Sequence, residues 1–207
     1  MARKVEGFEA LNANVRTKLG VKDLEESVSG NGVVPNAAAP YVSVVESGNG
    51  VVHQTTLTLA DLPITMRDTE QGGGAQIYQF PKGRILFLGG SGQITPTTTS
   101  AIATTLNSGV TCNWGVGTTT QASATLATTE QDMVQVKAFV SSTTINVAPA
   151  ASTAGVGVAS VTPYAGVSTP TAAYLNLAVA LATDIAANAT TTTDGTVTLT
   201  WINLGEL

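Results

Sequence analysis

The chain has 207 residues but only one histidine and one cysteine, so few kinds of chemistry are open to it. A zinc site needs three or four His, Cys or carboxylate ligands. His53 and Cys112 do not supply such a set, and no metal site is expected. A Ser–His–Asp triad would have to use His53, which lies beside the start of an expected strand with no nucleophile motif nearby. A packed or surface imidazole is the plainer expectation. Cys112, inside the apolar run Val110–Val116, reads as a small buried residue rather than a nucleophile. Asp61, Asp68 and Glu70, or Glu130 and Asp132, offer the paired carboxylates that glycoside hydrolysis uses. Turn and edge solvation explains these acids equally well. Gly72-Gly73-Gly74 and the glycine-rich Gly89–Gly92 hint at phosphate loops. Neither is followed by Gly-Lys-Thr/Ser or set in a βαβ unit, so both are expected to be loops. Asn188-Ala189-Thr190 matches a glycosylation sequon, which matters only on a secretory route. The expectation is a protein with no catalytic, metal-binding or cofactor-binding residues, and not an enzyme.

Binding is the remaining possibility. Lys82 and Arg84 flank an expected turn and are placed to meet an acidic partner surface, although solvating the end of a hairpin is their simpler role. Phe8, Leu11, Val15 and Leu19 mark a short amphipathic helix bracketed by Gly7 and Gly20. These six are the candidate partner-binding residues. Trp114, Trp201 and Tyr164 are the aromatics that could stack on a sugar. Trp201 shares an alternating face with Val197 and Leu199, which places it in the core instead.

Composition narrows the partner. Charged residues are 11% of the chain, against roughly 25% in an average protein, so Thr, Ser, Asn and Gln must build the polar surface. Threonine is β-branched and suits the wet face of a sheet. The apolar share of 43% is ample for a core, and the net charge is −5. Eight of the nine basic residues precede position 90 and leave no basic stripe, so nucleic acid is not an expected partner. No run of eighteen apolar residues spans a membrane, and Met1–Glu6 begins no secretory leader. The single cysteine fits synthesis in a reducing cytoplasm.

The elements that must position these residues are strands. Thr55–Leu59 alternates threonine with leucine, placing Leu57 and Leu59 on one face. Arg84–Leu88 is apolar on both faces after its first residue, as expected of a strand buried between layers. Between it and Gln76–Phe80, Pro81-Lys82-Gly83 predicts a three-residue hairpin turn with Gly83 at positive φ. Val110–Val116, Ser123–Leu126, Met133–Val140 and Thr144–Val147 are further candidate strands, with one more near Val156–Val161 in the low-complexity stretch Pro149–Pro170. Ala173–Ala182 and Thr196–Leu204 alternate cleanly, and Asp194-Gly195 between them is a turn signal. Residues 1–50 mix charges and end in glycine- and proline-punctuated chain poor in large side chains. They read either as a flexible tail or as an extended or partly helical arm that becomes ordered against a partner, with the first forty residues dispensable to the core in both cases, and residues 51–207 predict an all-β domain, a jelly-roll-like β-sandwich.

Three segments together, VVHQTTLTLADLPITMRDTE, IYQFPKGRILFLG and the terminal DGTVTLTWINLGEL, resemble the decoration, or cement, proteins of tailed bacteriophages. The resemblance covers the central segment and the last two strands. It implies a jelly-roll-type domain, an arm lying on the capsid and a symmetric homo-oligomer, a dimer or trimer. It also implies a non-enzymatic virion protein that is made in the host cytoplasm, binds the major capsid protein on the capsid exterior and stabilises the shell. No active-site residue carries over. The rival expectation is a head- or tail-fibre domain that binds host-surface glycans.

Overall fold

A computed structural model describes residues 32–48, 52–98, 111–140, 155–156, 164–166, 170–179, 185 and 187–204. The expected helix carrying Phe8, Leu11, Val15 and Leu19 and the expected strand Thr144–Val147 lie outside the described residues.

The described chain is all-β. Its strands are β1 (Val42–Gly48), β2 (Val52–Met66), β3 (Gly72–Gln79), β4 (Gly83–Thr98), β5 (Thr111–Gly117), β6 (Val134–Val140), β7 (Gly155–Val156), β8 (Tyr164–Gly166), β9 (Ala172–Val179) and β10 (Ala189–Asn203). The larger sheet has six strands in the order β1-β2-β10-β4-β7, with β8 also on β4; the smaller has four in the order β3-β9-β5-β6. Every pairing is antiparallel, and the pairings are nested: β2 with β10, β3 with β9, β4 with β7 and β8, β5 with β6. The chain is therefore one long two-stranded ribbon with β5 and β6 at its tip. Three pairings lie outside the nested set: β10 with β4 and β9 with β5 form where the ribbon rolls onto itself, and β1 adds to the free edge of β2. Rolling sends successive arms of the ribbon to opposite sheets, so their apolar faces meet.

Alternation decides what each strand contributes to that core. β2 turns His53, Thr55, Leu57 and Leu59 inward and exposes Gln54 and Thr58. Its phase slips at Asp61, which has φ 54°, and Leu62, Ile64 and Met66 then face inward. The slip is a β-bulge: opposite β10, Leu59 pairs with Gly195 but Leu62 pairs with Thr193. The Asp194 carboxylate accepts the Asp61 N–H at 2.9 Å and holds the bulge. Ile85, Phe87, Ile94, Val197, Leu199 and Trp201 complete the inward face of the larger sheet. Ile77, Trp114, Val116, Leu175 and Val179 meet them from the smaller one.

Several local expectations are corrected. Gln76–Phe80 and Arg84–Leu88 do not form a hairpin, because Gln79 pairs with Ala172 in the smaller sheet and Arg84 with Ala165 in the larger. Pro81-Lys82-Gly83 instead carries the chain across the sandwich. Gly83 does take positive φ, at 113°, but β10 and β8 already occupy the two edges of β4, leaving no ladder for the turn to close. Nor is Arg84–Leu88 buried on both faces: Ile85 and Phe87 point inward, while Leu88 is exposed. Gly72–Gly74 and Gly89–Gly92 are strand, not loops. A Cβ on Gly92 would lie 3.1 Å from the tip of the Trp114 ring, so a bare backbone there makes room for the indole of the opposite sheet. Asp194-Gly195 sits within β10 as the bulge partner rather than at a turn. Ser123–Leu126 is irregular, part of a loop running over residues 118–133 that contains a single 3-10 turn, Thr128–Glu130.

The larger sheet also begins earlier than position 51. β1 lies within the stretch expected as an arm, and Ala38 and Val42 are buried. Val33 bridges to Gln79, so the chain just before β1 touches the smaller sheet. Ala38 and Val42 therefore belong to the core, although both lie in the stretch expected as an arm.

Candidate interaction surface

The outer face of the larger sheet is mostly polar. Gln54, Thr56 and Thr58 of β2, Thr196, Thr198 and Thr200 of β10, and Ser91 and Gln93 of β4 line it. At one end the character changes. Ile202 pairs with Val52 on one side and with Leu86 on the other, making an apolar row across three strands. One position further, the Leu204 N–H donates to the Arg84 carbonyl at 2.8 Å, which sets Leu204 opposite Arg84. Leu88 points outward by alternation with Phe87, and it is the extra residue of a bulge opposite the Thr200–Trp201 step. Leu88 and Leu204 are 38% and 48% exposed and the row beside them is half-buried, so this end of the face is apolar surface and not core.

The structure thus brings Arg84 beside an apolar patch and leaves Lys82 exposed in the neighbouring cross-sheet connection. The patch residues Leu86, Leu88, Ile202 and Leu204 escaped the sequence reading. Treating Arg84–Leu88 as buried on both faces concealed the phase that exposes Leu88. Leu204 reads as an ordinary strand end until Arg84 is known to lie opposite it. The other four residues expected to bind a partner, Phe8, Leu11, Val15 and Leu19, are outside the described residues.

Behind the sheet lies a polar network centred on Glu46 of β1. The Trp201 indole N–H donates to Thr55 Oγ1 at 2.8 Å, and the Thr55 hydroxyl donates to Glu46 at 3.0 Å from each carboxylate oxygen. The Gly32 N–H donates to the Tyr78 hydroxyl at 2.8 Å, and that hydroxyl donates to Glu46 Oε1. An N–H occupies a lone pair of each hydroxyl, so each hydroxyl proton is directed at the carboxylate. Burial raises the Glu46 carboxyl above the usual range, while these two hydrogen bonds pull it back. Burial, and after it the Glu46 charge, pushes the Tyr78 phenol far up. The imidazole of His53 lies flat on Trp201, with ring centroids 3.9 Å apart and 8° between planes. Burial pushes its pKa down, and neither ring nitrogen has a hydrogen-bond partner among the described residues. His53 is therefore a packed ring, and the network joins β1, β2 and β10 to β3 across the sandwich.

Two of the carboxylates that could have formed catalytic pairs, Glu130 and Asp132, are tied to their own chain, while Asp61 and Asp68 are held through their backbone N–H groups. Glu130, buried, accepts the N–H groups of Ala122 and Ala127 at 2.8 and 2.7 Å. Asp132 accepts the Thr118 N–H and hydroxyl, both at 2.9 Å. Asp68 donates its N–H to the Asn188 side chain, and Asp61 is held at its bulge by Asp194. Asn176, fully buried in β9, accepts the Gln121 N–H at 2.9 Å and donates to the carbonyls of Thr119 and Glu130 at 2.9 and 2.8 Å. These bonds fix the loop of residues 118–133 over the outer face of the smaller sheet. Cys112 is buried in β5. Both tryptophans are buried to 0% exposure, which takes Trp114 and Trp201 out of any sugar-stacking role. Tyr164 lies in β8.

Among the described residues, no cluster of three or more His, Cys, Asp or Glu is placed to hold a metal ion, and no helix is long and apolar enough to cross a membrane. Comparisons with protein-family models, with curated proteins and with solved structures give no match.

Proposed function

We propose that this chain is a non-enzymatic structural protein of a tailed-bacteriophage virion, made in the host cytoplasm, that docks on the outside of the capsid and stabilises the assembled shell. Its docking surface is the apolar end of the larger sheet, Leu86, Leu88, Ile202 and Leu204 with Arg84 beside them, set against the major capsid protein. The observation that carries this reading is the contrast on one face: threonine and glutamine along its length, and exposed leucine at one end. A contiguous exposed apolar patch rimmed by polar residues is the kind of surface that marks an interaction site. The rolled, nested ribbon supports reading the sandwich as a jelly roll, an architecture of capsid and lectin domains. Between those two, the burial of both tryptophans favours the capsid.

The reading is tested by sedimenting purified protein with shells that lack it. Leu88→Glu with Leu204→Glu changes two exposed side chains and is expected to alter stability by no more than about 0.5 kcal/mol each. The expected outcome is loss of co-sedimentation with an unchanged melting temperature. Undiminished binding by this variant would place the contact elsewhere.

A further inference from the structure

β1 closes one end of the larger sheet, and among the described residues no strand lies on its outer side. Which of its backbone groups face outward follows from two hydrogen bonds. The Ala60 N–H donates to the Tyr41 carbonyl, so Tyr41 bonds toward β2, and so, by alternation, do Ser43, Val45 and Ser47. The Val42 N–H goes the other way, to the Ala38 carbonyl at 2.9 Å. The N–H and C=O groups of Val44 and Glu46 therefore point away from the sheet. Side chains follow the same alternation. Val45 stands on the outer face and is 66% exposed, and Val44, on the core side, is still 38% exposed. Of the devices that stop an edge from pairing, the strand lacks lysine, proline and a bulge; it carries one inward-pointing charge, Glu46, which is already hydrogen-bonded to Tyr78 and Thr55.

We infer that β1 pairs antiparallel with β1 of a second copy, making a two-fold dimer with one continuous sheet. The strand is centred on Val45, and the register that uses its whole length sets Val45 against Val45 of the second copy. In that register Val44 and Glu46 form hydrogen-bonded pairs with Glu46 and Val44 of the other chain, so all the outward groups of both residues are satisfied. The two Val45 side chains meet in a non-hydrogen-bonded pair, the closer kind, and bury each other. Sliding by two residues in one direction would oppose Glu46 to Glu46. Sliding in the other would require the Val42 N–H, which Ala38 already holds. Glu46 is no obstacle in the centred register, since its carboxylate is turned inward to Tyr78 and Thr55. The two-fold axis stands normal to the sheet, so both copies present their outer faces, with Leu88 and Leu204, on the same side. That last consequence bears on the capsid reading, but the dimer does not depend on it.

The test uses the full-length purified protein in solution without shells. Sedimentation velocity should give a dimer, and Val45→Lys, which sets two lysines against each other on the axis, should give a folded monomer with an unchanged circular dichroism spectrum and a melting temperature lower only by the lost association. With diamide as oxidant, Val45→Cys should form a disulfide-linked dimer, because the Cα atoms of a non-hydrogen-bonded pair, about 4.5 Å apart, are within disulfide reach. Val44→Cys, which faces Glu46 of the second copy, should not cross-link, nor should the unsubstituted chain, whose one cysteine is buried. A monomeric wild type, a dimer indifferent to Val45→Lys, or equal cross-linking at positions 44 and 45 would each overturn the inference. A monomer with slowly exchanging Val44 and Glu46 amides would overturn it in favour of an edge covered by the chain's own residues.

Discussion

His53 and Trp201 stack face to face in the interior, 3.9 Å between ring centroids, and Phe80 meets the same indole edge-on at 5.3 Å. The indole also spends its N–H on Thr55. Trp201 thus fills volume, anchors a histidine that lacks hydrogen-bond partners among the described residues, and begins the hydrogen-bond chain to Glu46. Trp201→Ala is expected to cost about 3–5 kcal/mol, and Phe87→Ala a similar amount, since each empties a site with no exposed surface. Chemical denaturation measures this directly. A cost below about 1 kcal/mol at Trp201 would mean that the ring is not in the core.

The two titrating groups near that stack act in opposite directions with pH. Glu46 has a folded pKa above 4.5, so its contribution to stability is fully present below pH 4.5 and is lost as the pH rises through the folded value. His53 has a folded pKa below 6.5, so its contribution is fully present above pH 6.5 and is lost as the pH falls through the folded value. Melting temperature measured against pH should therefore separate them. Glu46→Gln should remove the loss of stability that begins above pH 4.5, and His53→Phe the loss that begins below pH 6.5. Variant profiles parallel to the wild type would show that neither group titrates as its burial requires.

Asn176 is the pin of the loop over residues 118–133. Asn176→Ala would strand the Gln121 N–H and two carbonyls in a buried site, at a cost of about 3 kcal/mol. The loop should also become a preferred site of limited proteolysis while the sandwich stays folded. Equal protease resistance in the variant would show that Asn176 does not hold it.

How much of this was legible beforehand depended on range. Strand periodicity is a local property, so β5, β6, β9 and the end of β10 stood out from their alternating residues. Pairing is not local. Pro81-Lys82-Gly83 has the composition of a hairpin turn, and only the partners of Gln79 and Arg84, in different sheets, show that it crosses the sandwich. Gly92 of β4 read as part of a break because its function, making room for Trp114, depends on a residue in the other sheet. Glu46 gave no signal at all, since Tyr78, Thr55 and Trp201 converge on it only after rolling. The surface patch was hidden for the same reason: Leu86, Leu88, Ile202 and Leu204 come together only when β4 pairs with β10.

The central claim is that this chain stabilises an assembled shell by binding it. Binding to the intact lattice and not to free subunits shifts disassembly by mass action, without metal, nucleotide or covalent change. Two binding faces on one dimer would add the advantage of linked sites. The most direct measurement is a thermal DNA-release curve for virions depleted of the protein, before and after the purified chain is added back. The account predicts that depleted particles keep normal geometry but release DNA at a lower temperature, that the wild-type chain restores the higher one, and that Leu88→Glu with Leu204→Glu does not. Coincident release curves for depleted and replenished particles, with host adsorption lost on depletion, would contradict it and make the chain a receptor-binding module.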